Sequence, residues 1–144
     1  NSRLDNIQAA ILRYKLDSYG EVIDRRRSIA RIYQERLQEI NELQLPPGPD
    51  HSKDHFDIYQ NYELEAENRD QLKDYLSNNQ VGTLIQWGGK AINHFTNLGF
   101  NQELPNTKRF FEKCIMLPMN PFLEDDDVHY VCDKVIEFYR GHDS

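Results

Sequence analysis

Proline placement sets the plan of this 144-residue chain before any other feature. No proline precedes Pro46, and then Pro46, Pro47 and Pro49 crowd into Leu45-Pro46-Pro47-Gly48-Pro49. Proline fixes φ and removes a backbone donor, so the cluster ends any helix that reaches it. Upstream, residues 3–40 are rich in helix formers. Leu4, Ile7, Ile11, Leu12 and Leu16 share one helical face, Gly20 interrupts, and Val22, Ile29, Ile32, Tyr33, Leu37 and Ile40 form a second stripe. The spacing predicts two helices, or one kinked between Asp17 and Gly20. Ser2 reads as the first N-cap, with Asp5 at the third helical position. The opposite face carries Arg25, Arg26, Arg27, Arg31, Glu35 and Arg36. That charge reads as a solvated face, with a basic groove wall as the alternative.

Downstream of the prolines the pattern changes. Phe56, Ile58, Tyr62 and Leu64 alternate, with Tyr59 between them, which predicts a strand with one buried face. Asn68 reads as the N-cap of a short helix carrying Leu72, Tyr75 and Leu76, ended by Asn78-Asn79. Val81–Trp87 reads as a second strand, residues 88–106 as loop, Asn106–Glu112 as a helix, and Cys114–Leu117 as a third strand or buried extended segment before Pro118 and Pro121. A last helix is predicted over Leu123–Tyr139, with Val128, Val131, Cys132, Val135 and Phe138 or Tyr139 inward. Glu124, Asp125, Asp126 and Asp127 fall in its first turn, where the helix dipole favours negative charge, so the run reads as structural rather than metal-binding. The fold expected is α/β (α+β), a sheet of about three strands packed by helices, with a helical segment over 1–44 and a small α/β domain over 45–144.

Charge and hydropathy narrow the function. The net charge of −7 disfavours phosphate-backbone binding, so no nucleic-acid partner is expected, while a single phosphorylated ligand stays compatible. No apolar run approaches the ~18 residues of a membrane span, and the N-terminus has no signal-peptide core. Cys114 and Cys132 sit apart in apolar patterns and read as small core residues, which fits a reducing, cytoplasmic setting. The first Met is Met116, and the chain opens at Asn1 inside a helix start. Either a leader has been removed or the chain is a piece of a longer protein, and the second reading is favoured.

Two constellations carry chemistry-bearing residues. His51 and His55, four apart beside Asp54 and Asp57, have metal-ligand spacing only on a helix, and this stretch leads from a proline turn into a strand. They read as surface loop histidines, and no metal is expected. Trp87-Gly88-Gly89-Lys90, with His94 and Phe95 beyond, is either an anion cradle with Lys90 as a point charge or a tight turn with a buried Trp. It matches neither the dinucleotide fingerprint nor the P-loop. No nucleophile–base pair is readable.

Taken in order, several segments resemble the pyridoxal phosphate (PLP)-dependent sugar aminotransferases of the DegT/DnrJ/StrS type. Asn1-Ser2-Arg3-Leu4-Asp5-Asn6-Ile7-Gln8-Ala9-Ala10-Ile11-Leu12 is similar to that family's loop-to-helix signature. Asp57-Ile58-Tyr59-Gln60-Asn61-Tyr62 resembles its aromatic-rich strand. Thr83-Leu84-Ile85-Gln86-Trp87 and the glycines resemble its next strand and substrate loop, and Cys114-Ile115-Met116-Leu117-Pro118-Met119-Asn120-Pro121 its "LPMHP" segment. Gln86-Trp87-Gly88-Gly89-Lys90 departs from the commoner pattern, a His-Tyr pair followed by prolines, and is similar to the branch that aminates 3-keto-6-deoxy sugars on dTDP.

The resemblance implies the C-terminal small domain of a fold type I aminotransferase whose partners are its own N-terminal PLP domain, a second subunit and a nucleotide sugar. It implies that Asn1 reaches the PLP phosphate of the neighbouring subunit, that Arg3 binds a carboxylate or phosphate, and that Gln86, Trp87, Lys90 and His94 face the substrate. It places the cofactor-bearing lysine upstream of Asn1, so that no lysine of this chain fills that role and no residue here is assigned a catalytic one. The parent would move an amino group, from glutamate, to a keto sugar. Two alternatives compete with this reading: a stand-alone module binding a nucleotide or nucleotide sugar, and a non-catalytic helical interaction domain.

Overall fold

The computed structural model describes residues 5–54, 56–100 and 102–141. Two helices open it, α1 (Asn6–Asp17) and α2 (Tyr19–Leu37), parted at Ser18. The break falls where the sequence predicts it, but the first cap is Asp5 itself, whose Oδ1 accepts the Gln8 N–H at 2.8 Å. Ser2, the cap expected from the sequence, lies outside the described residues. Among the described residues, no helix is long and apolar enough to cross a membrane.

Three short strands follow: β1 (Leu43–Gln44), β2 (Tyr62–Ala66) and, late in the chain, β3 (Cys114–Leu117). They form one antiparallel sheet in the order β1-β2-β3, with Leu64 opposite Ile115 and Tyr62 opposite Leu117. Between β2 and β3 come α3 (Arg69–Asn78) and α4 (Pro105–Lys113), and α5 (Asp125–Arg140) closes the chain. The expected α+β architecture with three strands is the one observed.

Period two on β2 sorts its residues by face. Tyr62, Leu64 and Ala66 point inward with Ile115 and Leu117 and meet Ile29, Ala30, Tyr33 and Leu37 of α2, Leu72 and Leu76 of α3, and the stripe Val128, Val131, Cys132, Val135 and Phe138 of α5. One core therefore draws on both sides of the proline cluster. Glu63 and Glu65 take the other face, where Arg109 of α4 approaches Glu65 at 3.7 Å. Cys114 and Cys132 are free and buried. Burial pushes both thiols up, Cys132 to about 12, so they pack as hydrophobes.

Several local expectations change. The strand expected to begin near Phe56 starts only at Tyr62, because Tyr59 sits at φ 50 and turns the chain. Its ring is buried and its hydroxyl donates to Pro47 O at 2.7 Å, so the side chain anchors the proline cluster instead of a strand. Phe56 is exposed, its ring under the Arg27 guanidinium at 4.4 Å. Val81–Trp87 is not a strand. It touches the sheet through one bridge, Leu84 to Met116, and left-handed residues at Gln80 and Trp87 close off both ends. Asn68 precedes α3 in a left-handed conformation and makes no side-chain cap.

The arginines of α2 are not a solvated face: they bond within the chain, and Arg26 also borders a cavity. Arg25 bonds Asp125 and the Leu123 carbonyl, Arg26 the Tyr59 and Gln60 carbonyls, and Arg27 the Asp57 and Pro49 carbonyls. Arg31 pairs with Asp50, and Arg36 with Asp133. The row fastens the irregular 49–60 stretch and the start of α5 onto one helix. The acidic run at Glu124–Asp127 is structural as expected, since Asp127 caps the Glu124 N–H and Asp125 receives Arg25.

Candidate functional site

The connection from residues 81–87 to α4 holds the loop singled out by sequence. Trp87, Gly88 and Gly89 all have positive φ, at 52°, 63° and 74°. Two glycines meet that demand without strain, while Trp87 meets it at a cost. The turn throws the indole outward, and Trp87 is 78 % exposed rather than buried. The loop does not form an anion cradle either. Gly88 N–H donates to Ile85 O at 3.1 Å and Lys90 N–H to Trp87 O at 3.3 Å, so two of its donors are spent within the turn.

Beyond the turn, two single 3₁₀ turns span Ile92–His94 and Thr96–Leu98. With three residues per turn, Ile92, Phe95 and Leu98 fall on one side. They face Trp87, Lys90 and Phe111 of α4 across an open apolar cavity of about 650 Å³. Phe110 meets Phe111 edge to face at 5.5 Å, which steadies the far wall. Lys90 is the one charged residue among those lining this cavity. A ligand with an apolar ring and an anionic end matches that layout.

The other side of the same turns is polar. Asn93, His94, Thr96, Glu103 and Lys108 line a second cavity of about 350 Å³. His94 Nδ1 accepts the Ala91 N–H at 3.3 Å, and the ring stands edge-on to Phe111 at 6.4 Å.

The four residues expected to face substrate therefore divide. Trp87 and Lys90 border the apolar cavity, His94 borders the polar one, and Gln86 starts the turn without lining either. Asn1 and Arg3 lie outside the described residues, as does His55. His51 is exposed in a loop. Ile92, Leu98 and Phe111 were not picked out from sequence. The i, i+3, i+6 spacing of Ile92, Phe95 and Leu98 inside a glycine-bounded loop was the available signal.

The sequence matches the DegT/DnrJ/EryC1/StrS aminotransferase family over residues 1–136. The chain belongs to that family. It is 31 % identical to the "Pleiotropic regulatory protein" of Geobacillus stearothermophilus, across 97 % of this chain and 38 % of that protein. It is likewise 31 % identical to the dTDP-3-amino-3,4,6-trideoxy-alpha-D-glucose transaminase of Micromonospora megalomicea subsp. nigra, across 97 % of this chain and 37 % of that protein. Among solved structures, S. venezuelae DesV in complex with a ketimine intermediate superposes with a TM-score of 0.87 at 26 % identity, covering 96 % of this chain and 38 % of that one. The Brucella abortus family member gives a TM-score of 0.81 at 28 % identity, covering 95 % and 36 %. The chain thus spans somewhat more than a third of the length of the relatives it matches.

Proposed function

We propose that this chain is the C-terminal part of a PLP-dependent aminotransferase that aminates a keto sugar carried on a dTDP-type nucleotide. The observation that carries the reading is the family match over residues 1–136, reinforced by relatives named as dTDP-sugar transaminases. PLP supplies the electron sink for such transfers. The apolar cavity does not fit that cofactor. Neither a hydroxyl nor a carboxylate lines the apolar cavity, and two of its loop's amide donors are already used. The cofactor belongs in this proposal to the part of the parent beyond these residues, with Asn1 and Arg3 supplying a phosphate contact to the neighbouring subunit of a homodimer.

This chain's own task is to receive the substrate. Trp87, Phe95 and Phe111 offer apolar surface for a base or deoxy-sugar ring, and Lys90 on the rim meets a phosphate as a point charge. His94 and Lys108, across the 3₁₀ turns, offer hydrogen-bond donors to the hydroxylated part of the ligand. The amino donor proposed is glutamate, and the setting cytoplasmic.

The test is an absorbance spectrum of the full-length parent with PLP, before and after replacement of its upstream lysine. Bound-cofactor absorbance that the replacement abolishes is the expected result. A parent whose reading frame holds no lysine-bearing cofactor domain ahead of Asn1, or that leaves the PLP spectrum unchanged, overturns the proposal.

A further inference from the structure

A third cavity shares no lining residue with the two beside the glycine loop. Its volume is about 360 Å³, and Arg26 forms its charged wall. Arg26 belongs to the row on α2 but differs from its neighbours. Arg25, Arg31 and Arg36 each meet a carboxylate, and Arg27 spreads both Nη atoms over two carbonyls and a ring. Arg26 uses Nη1 alone, donating to Tyr59 O at 3.0 Å and Gln60 O at 2.7 Å. Its Nη2 and Nε have no partner among the described residues. The Nη1 bonds fix the plane of the guanidinium, so the remaining edge is held in place rather than free to swing.

Three side-chain amides line the same cavity as Arg26. Gln60 and Asn61 line the cavity and have no side-chain partner among the described residues. Asn120 lines it too, and its Oδ1 accepts the Phe122 N–H at 3.0 Å, which leaves its Nδ2 to donate outward. Leu84, Met116 and Met119 supply an apolar floor. No second cation and no carboxylate lines the space.

We infer that this cavity binds a small organic monocarboxylate, with the carboxylate on the Arg26 Nε–Nη2 edge and amide donors beside it, and the alkyl part on the Leu84–Met119 floor. Two parallel N–H···O bonds from a fixed guanidinium edge match a planar carboxylate. One cation balances one negative charge, whereas a phosphate dianion would be left half-compensated beside apolar side chains. This reading stands on the geometry of Arg26 and not on the proposed transaminase activity.

The experiment is a two-dimensional NMR titration of the 144-residue chain with butyrate, with neutral butyramide of the same shape and inorganic phosphate as comparisons. Butyrate is expected to give saturable shifts at the Arg26 Nε–H and the Asn61 and Asn120 side-chain amides, butyramide and phosphate weaker or none. R26Q removes the charged edge and is expected to weaken butyrate by about tenfold or more. Arg26 also fastens the 59–60 turn, so N61L, which leaves that anchor intact, serves as the second variant and is expected to lose a few-fold. Equal response to butyrate and butyramide, tighter binding of phosphate, absence of saturation, or unchanged affinity in both variants each overturn the inference.

Discussion

Replacing Arg27 by alanine tests whether the basic face of α2 fastens the 49–57 stretch. Arg27 Nη1 donates to Asp57 O at 2.7 Å and Nη2 to Pro49 O at 2.8 Å, while the guanidinium lies 4.4 Å from the centre of the Phe56 ring. The bond to Pro49 O is part-buried and that to Asp57 O exposed; each charge-assisted bond contributes about 1 kcal/mol net, and the cation–π contact about 0.5–1 kcal/mol. Their sum predicts a loss of about 2.5–3 kcal/mol in R27A. Lysine keeps the charge but cannot span two carbonyls, so R27K is expected to recover no more than about half. Urea denaturation of the 144-residue chain measures the loss, and hydrogen exchange places it at residues 49–58. Were R27A to fall within about 0.5 kcal/mol of the parent chain, the ordinary cost of an exposed surface change, the face would be solvated after all.

Three further expectations rest on other contacts. Glu63 on β2 carries a buried Oε1 with no partner, and desolvation raises its carboxyl above the ordinary range. A raised acid holds its proton more tightly folded than unfolded, so its ionisation costs stability as pH climbs from the ordinary glutamate value through the folded one. E63Q is therefore expected to melt higher than the parent chain at pH 7 and to lose that advantage below about pH 4, where both states are protonated; a pH-independent difference would contradict the assignment. W87A removes an exposed ring, so its melting temperature should hold while its affinity for dTDP in titration calorimetry drops by about fivefold or more, the cost of a lost base-stacking contact. Finally, Ile7, Ile11, Leu12 and Leu16 of α1 are all exposed, which predicts concentration-dependent self-association that I11E suppresses. Sedimentation showing a strict monomer at high concentration would count against it.

The parts of this fold that sequence shows are those set by local periodicity. The breaks at Ser18 and the inward stripe of α5 follow from apolar spacing of 3.6, and Cys114–Leu117 reads as extended because prolines bound it. What escapes is set by partners far along the chain. β1 is two residues long and exists only because Leu43 and Gln44 find Ala66 and Glu65. Alternation through Phe56, Ile58 and Tyr62 imitates a strand, but Tyr59 turns left-handed where Arg26 holds its carbonyl and Pro47 takes its hydroxyl. The arginine row misleads for the same reason, since backbone carbonyls as acceptors leave no trace in residue type. At the site, the Trp87 turn is legible from its glycines. The wall opposite it is not, because Phe111 arrives from α4 and its place depends on the tertiary fold.

Product analysis of the full-length parent tests the proposed role of these residues as the substrate-receiving part of a nucleotide-sugar aminotransferase. With PLP and glutamate supplied, mass spectrometry should show a dTDP-3-keto-6-deoxyhexose gaining an amino group in place of its keto oxygen, and W87A within the parent should raise KM more than it lowers kcat. A parent that binds PLP yet leaves every dTDP-, UDP- and GDP-linked keto sugar unaminated would rule that role out.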